Sequence, residues 1–126
     1  MQVSSNTERA VWLALTSEAS EAQAQALALA LLERRLVACV SLQPVRSHYH
    51  WQGRLEQASE VQLLLKTDAA HLADLEAAVH ALHSYDTPEW LLWPAQASGP
   101  YGRWLGGELA PQGPWAVSPD AGPPKP

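Results

Sequence analysis

The order of the predicted strands and helices constrains the fold more than any other feature of this sequence. Short apolar, β-prone runs alternate with stretches in which apolar residues recur at helical spacing, so the predicted order is βαββαβ followed by a short helix. Four strands are predicted at residues 10–15, 37–51, 59–67 and 89–97, and the last helix at 101–109.

Each of the two long helices has a recognisable start. Ser20 followed by Gln23 is a capping-box pattern, and Thr67 or Asp68 can cap the second helix, which ends near His83. In both helices the apolar residues form one stripe. Each helix is therefore expected to pack one face on the sheet.

The second and third strands form a predicted hairpin. Gln52 and Gly53 supply its turn, and Pro44, which has no backbone N–H to donate, indicates an edge strand or a bulge. Right-handed crossovers place both long helices on the same side of one antiparallel sheet. The predicted fold class is therefore α/β, a ferredoxin-like sandwich with a C-terminal helix.

A sheet with helices on one side leaves its other face uncovered. Trp12, Leu64 and one of Trp90 and Trp93 cannot all face the helices, so apolar groups are expected on the open face. Together with the exposed edge strands, this predicts self-association. The alternative is that the tryptophans fill a monomer core beneath loops.

Composition excludes several classes of function. The formal net charge is −5 and no basic stripe is present, so a nucleic-acid partner is not expected. The apolar stretch at residues 26–32 is far shorter than the roughly 20 residues that cross a bilayer, so no membrane partner is expected either. The single cysteine and the polar N-terminus, which does not resemble a signal peptide, favour the cytoplasm.

The chain divides into one domain and two tails. Its 126 residues fit a single domain, predicted over residues 10–109. Residues 1–9 are expected to be a flexible N-terminus. Residues 110–126 contain six prolines and no periodicity, which is typical of a disordered tail.

Five segments resemble successive signatures of the CutA divalent-cation-tolerance family. They occur in the family's order and spacing, and the resemblance spans residues 10–109. The segments are LVACVSL at 36–42, SHYHWQG at 47–53, SEVQLLLKT at 59–67, HSYDTPE at 83–89 and YGRWL at 101–105.

The resemblance implies a homotrimer with a role in divalent-cation tolerance, and for some family members copper binding. His83, which matches a family histidine, is the leading candidate for a metal ligand because imidazole beside carboxylates suits copper or zinc. Its alternative role is to cap the helix or to bond a backbone carbonyl. Leu15 and Leu82 stand where copper-binding members have cysteine and histidine, so any bound ion is expected to be held weakly. Ser84 replaces a proline of the family, which predicts a looser turn.

Cys39 is a second candidate metal ligand, although its apolar strand favours a structural thiol. His48 and His50 share one face of a strand and make an incomplete site. No familiar catalytic motif is present in the sequence, so an enzyme is not predicted.

The alternative function is that of a PII-like trimeric signalling protein, which senses a small anionic ligand in the cleft between subunits. The candidate ligand-binding residues for such a cleft are Trp51, Lys66, Tyr85, Glu89 and Arg103.

Overall fold

The computed structural model describes residues 9–111 of the chain. Most of the predicted N-terminus and of the Pro-rich tail lies outside these residues. Residues 9–111 form four strands, three α-helices and one short 3-10 turn, Ala69–His71. The strands are β1 Arg9–Glu18, β2 Cys39–Trp51, β3 Arg54–Thr67 and β4 Leu91–Ala97, and the helices are α1 Glu21–Glu33, α2 Leu72–Leu82 and α3 Gly99–Glu108.

The sheet is antiparallel throughout, with the strand order β2-β3-β1-β4. This is the ferredoxin-like arrangement, so the predicted fold class is confirmed. Helices α1 and α2 cover one face, where Leu27, Leu31 and Leu75 pack against Leu63 and Leu65 of β3. These five leucines are almost inaccessible to solvent. Their burial accounts for much of the hydrophobic stabilisation of the subunit.

The two long helices begin in different ways. The Ser20 hydroxyl accepts a hydrogen bond from the Gln23 backbone N–H at 3.2 Å, so the predicted cap of α1 is correct. The predicted caps of α2 are wrong. The Thr67 hydroxyl instead donates to the Leu36 carbonyl at 2.8 Å, and Asp68 contacts His71 and makes no side-chain cap bond.

The hairpin of β2 and β3 is longer than the sequence predicts. β3 begins at Arg54 rather than near residue 59, and a two-residue turn with positive φ at Gln52 (51°) and Gly53 (75°) joins the strands. Residues 54–60 pair only with β2, because β1 pairs with β3 from Val61 onward. The hairpin therefore extends beyond the sheet by about 23 Å. We call this extension the ribbon.

The second face of the sheet, which we call the far face, is partly covered. Helix α3 packs across one end of it, where Leu105 and Leu109 are buried against Val11. The prediction that this whole face is open was therefore wrong. It was wrong because no pattern in the sequence indicated which side of the sheet α3 would cover.

The remainder of the far face is apolar and uncovered. In the sheet register, Leu13 lies opposite Trp93, and Leu15 lies between Leu91 and Leu64. Directly opposed residues point to the same side, so these five side chains form one patch. Leu91 is 51% exposed and Trp93 is 38% exposed.

The segment after α3 is fixed to the domain. The Ala110 backbone N–H donates to the Arg35 carbonyl at 2.9 Å, and the Ala110 carbonyl contacts the His71 ring. Ala110, the first residue of the predicted tail, therefore makes both of these contacts. No helix within residues 9–111 is long and apolar enough to span a membrane.

Candidate functional site

The turn after α2 buries the side chain of His83. The helix ends because His83 adopts an extended backbone conformation, with φ −71° and ψ 148°. Its Nε2 atom lies 2.8 Å from the Ser17 carbonyl oxygen, and the Tyr85 backbone N–H donates to Nδ1 at 3.0 Å. A carbonyl can only accept and an amide N–H can only donate. The proton of the neutral ring is therefore on Nε2, and Nδ1 is the acceptor.

Neither ring nitrogen of His83 is free to bind a metal ion in this conformation. Nε2 carries the proton, and the lone pair of Nδ1 is used by the amide of Tyr85. Within residues 9–111, no group of three or more His, Cys, Asp and Glu side chains could hold a metal ion. That His83 binds copper or another divalent cation stays a prediction, and it requires the ring to give up one of these hydrogen bonds.

Glu18, the last residue of β1, is a buried carboxylate that the sequence analysis missed. It is 1% exposed and accepts three hydrogen bonds, from the Ala19 amide at 3.1 Å and from the Ser84 amide and hydroxyl at 3.0 Å and 2.5 Å. Its Oε2 also lies 3.5 Å from Nδ1 of His83. A proline in place of Ser84 could make neither of the two serine bonds. Ser84 therefore anchors the turn after α2 to β1, and the expected loosening was wrong.

Tyr85 and Glu89 extend this network toward the base of the ribbon. The Tyr85 hydroxyl donates to Glu60 Oε2 at 2.7 Å, and the Ser17 hydroxyl donates to Glu89 Oε1 at 2.8 Å. Burial, and then the hydrogen bond to the Glu60 carboxylate, raise the pKa of Tyr85 well above its usual value. The phenol therefore stays a neutral donor at physiological pH. We call the connected residues the polar cluster: Ser17, Glu18, Glu60, His83, Ser84, Tyr85 and Glu89.

The predicted ligand-binding residues do not meet in one subunit. Tyr85 and Glu89 belong to the polar cluster, whereas Trp51 is at the tip of the ribbon, paired with Arg54 and 55% exposed. Lys66 Nζ lies 5.9 Å from the centre of the Tyr101 ring of α3. The predicted site is therefore divided among three separate regions.

Arg103 is also not placed to act with Lys66. Arg103 is exposed on α3, two residues after Tyr101, and residues two apart on a helix do not face the same side. The contact of Lys66 with Tyr101 therefore does not bring Arg103 to the same point. An anion held by both side chains is not supported within one subunit.

Cys39, the second predicted metal ligand, lies far from His83. It is the half-buried first residue of β2 and pairs with Lys66, which pairs in turn with Leu13. His83 contacts Ser17, four residues further along β1. Four strand residues span about 13 Å, so Cys39 and His83 cannot share an ion within one subunit.

The fold and the polar cluster together define a class of protein. The chain is a ferredoxin-like α/β protein with a partly uncovered apolar sheet face, and its polar cluster is hydrogen-bonded around a buried carboxylate. Comparison with known proteins then defines the family. Residues 12–108 match the model of the CutA1 divalent ion tolerance protein family, and the chain belongs to that family.

Relatives and solved structures agree with this assignment. The divalent-cation tolerance protein CutA of Pectobacterium atrosepticum is 46% identical over 97 residues, which cover 75% of this chain and 88% of that protein. The structure of CutA from Synechococcus elongatus superposes with a TM-score of 0.79 at 35% identity, covering 82% of this chain and 94% of that one. A structure from Archaeoglobus fulgidus is described as the periplasmic divalent cation tolerance protein CutA. It superposes with a TM-score of 0.73 at 30% identity, covering 75% of this chain and 94% of that one.

Proposed function

We propose that this chain acts in divalent-cation tolerance as a homotrimer in which the far face of each subunit is buried against its neighbours. The observation that carries the proposal is the apolar patch of Leu91, Trp93 and the leucines beside them. A monomer would leave this patch in water, where it favours association. Membership of the CutA1 family supports the cation-tolerance role.

The edges of the sheet and the ribbon support the same proposal. β2 and β4 are the edge strands, and each has one side without a partner within residues 9–111. The ribbon also exposes large apolar side chains, with Tyr49 at 41%, Trp51 at 55% and Leu55 at 75%. A closed ring of identical subunits can cover both the patch and the ribbon.

The first test is the mass of the purified protein in solution. We expect sedimentation equilibrium at micromolar concentration to give three times the 13.7 kDa of one chain. Because the proposed interface is apolar, the mass should hardly change with salt concentration. A mass of one chain at micromolar concentration would contradict the proposal.

We also propose that copper or another divalent cation binds this protein weakly, because His83 is not pre-arranged as a ligand. Its ring would have to exchange the bond to the Tyr85 amide for the metal, and the buried Glu18 carboxylate is already occupied. These costs lower the affinity of any site built on this ring. In this proposal, a single subunit performs no catalytic step and holds no ion tightly.

The metal proposal is tested by copper titration of the wild type and of two histidine variants. We expect His83→Ala to lower the stability of the protein and to weaken its copper binding by tenfold or more, which is about 1.4 kcal/mol. His80→Ala is the matched control, because His80 is exposed on α2 and, within residues 9–111, its ring is hydrogen-bonded to the Glu76 carbonyl alone. An unchanged copper affinity in His83→Ala would mean that His83 is not a metal ligand.

The alternative function, a sensor of a small anionic ligand, needs residues from more than one subunit. Trp51, Lys66 and Tyr85 lie in three separate regions of the chain, so only assembly could combine them. For the compartment we propose the cytoplasm, which the single cysteine supports.

A further inference from the structure

His71 is a buried histidine with an unusual pair of partners. It is the last residue of the 3-10 turn before α2 and is 3% exposed. Its Nδ1 atom lies 2.6 Å from Asp68 Oδ1, and its Nε2 atom lies 2.6 Å from the Ala110 carbonyl oxygen. The ring therefore connects the start of α2 with the segment that follows α3.

Both partners of His71 are hydrogen-bond acceptors. A carboxylate and a carbonyl oxygen offer lone pairs only, so each short contact needs a proton on the ring nitrogen. A neutral imidazole has one such proton, and the other contact would then bring two lone pairs together. The extra proton belongs on the imidazole rather than on Asp68, because histidine ordinarily titrates near 6.5 and aspartate near about 3.9. The geometry thus requires a positively charged His71 paired with Asp68.

The segment held by His71 is fastened at a second point. The Ala110 N–H donates to the Arg35 carbonyl at 2.9 Å, and the Arg35 guanidinium donates to the Glu108 carbonyl at 3.0 Å. The charged groups around this junction are Asp68 beside the ring, and Arg35 and Glu108, which form an exposed ion pair with atoms 3.7 Å apart. Of these groups, only the His71 ring has an acceptor at each of its two nitrogens, so the loss of one ring proton removes one of these two bonds.

Leu109 connects this junction to the far face. It lies immediately before Ala110 and is buried with Leu105 and Val11. Release of the Ala110 carbonyl would therefore loosen the end of α3 where it covers the sheet. Such release leaves the polar cluster unchanged, since His71 has no hydrogen bond or ion pair with any of its residues.

We propose that His71 is a pH-dependent latch for the C-terminal end of α3. With both ring nitrogens protonated, it holds the Ala110 carbonyl against the start of α2. As the pH rises and one proton leaves, one of the two bonds is lost, and residues 109–111 detach more often. The contribution to stability is present at low pH and lost as the pH rises, as expected for a histidine whose charged form gains partners in the folded state. The latch does not depend on the proposed function.

The test uses amide hydrogen exchange of the full-length protein between about pH 6 and pH 9, a range that spans the ordinary titration of histidine. The reporter is the protection factor of the Ala110 amide, corrected for the intrinsic exchange rate at each pH. We expect this factor to fall on the order of tenfold across the range, which is the scale of one charge-assisted hydrogen bond. A proton-detected spectrum of the imidazole nitrogens at low pH should show both His71 nitrogens protonated.

Two variants separate the charge of His71 from its packing. Asp68→Asn offers an amide that can donate to Nδ1, so a neutral ring keeps both bonds, and we expect protection of Ala110 to persist with no dependence on pH. His71→Gln should lose both the protection and its pH dependence, whereas His80→Gln, at an exposed position of α2, should behave as the wild type. A wild-type pH profile in Asp68→Asn, or a neutral His71 ring at about pH 6, would overturn the proposal.

Discussion

Replacing Leu91 with glutamate is expected to convert the assembled protein into single folded subunits at micromolar concentration. Leu91 is 51% exposed in the isolated subunit, so the fold can accept a carboxylate there. In the proposed trimer the same position is buried in an apolar interface, where an unpaired charge costs several kcal/mol. Cyclic symmetry repeats this cost in every subunit. Sedimentation measures the loss of assembly, and far-UV circular dichroism shows that the subunit remains folded.

The matched control for this substitution is Leu29→Glu. Leu29 is as exposed as Leu91, at 58%, but it lies on α1, on the opposite side of the sheet from the far face. We expect Leu29→Glu to keep the mass of the wild type. If Leu91→Glu also keeps that mass, the uncovered leucine patch is not the interface, and the trimer proposal loses the observation that carries it.

The sequence was sufficient to predict the fold because local patterns agreed with chain topology. The Ser20 cap, the helical stripes and the β-prone run at residues 59–67 each predicted one element in one place. If both crossovers are right-handed, the predicted βαββαβ order allows one arrangement, in which the two helices lie on the same face of a four-stranded antiparallel sheet. The extra length of the hairpin was missed because residues 54–58 do not alternate, and the strand there is fixed by pairing with β2.

The candidate site could be predicted only in part, because its geometry depends on contacts between distant residues. His83 and Tyr85 stood out by their types, but Glu18 lies 66 residues before Ser84 and outside the first strand predicted at residues 10–15. The sequence contained one signal for Glu18, which is its place in a polar segment between the apolar first strand and the next helix. Thr16, Ser17 and Glu18 make up this segment, and all three are buried in the structure. The charge requirement at His71 had no signal, since it arises from a carbonyl 39 residues away.

The largest loss of stability from a single change in the polar cluster is expected for Glu18→Ala. This substitution removes the acceptor of the Ser84 amide and hydroxyl and of the Ala19 amide. Hydrogen bonds to charged groups contribute about 1.5–3 kcal/mol, and buried donors without partners add a desolvation cost. We therefore expect the free energy of unfolding to fall by about 3 kcal/mol. Urea denaturation measures this change.

Two comparisons decide whether that loss comes from the network around Ser84. Glu33→Ala removes an exposed carboxylate at the end of α1 and should change the free energy of unfolding by less than about 0.5 kcal/mol. Ser84→Ala removes the hydroxyl donor, so part of the penalty of Glu18→Ala should disappear when both residues are replaced. All variants must be compared at one protein concentration, because assembly adds to the apparent stability. Strict additivity of the two substitutions would mean that Glu18 stabilises the protein independently of the turn after α2.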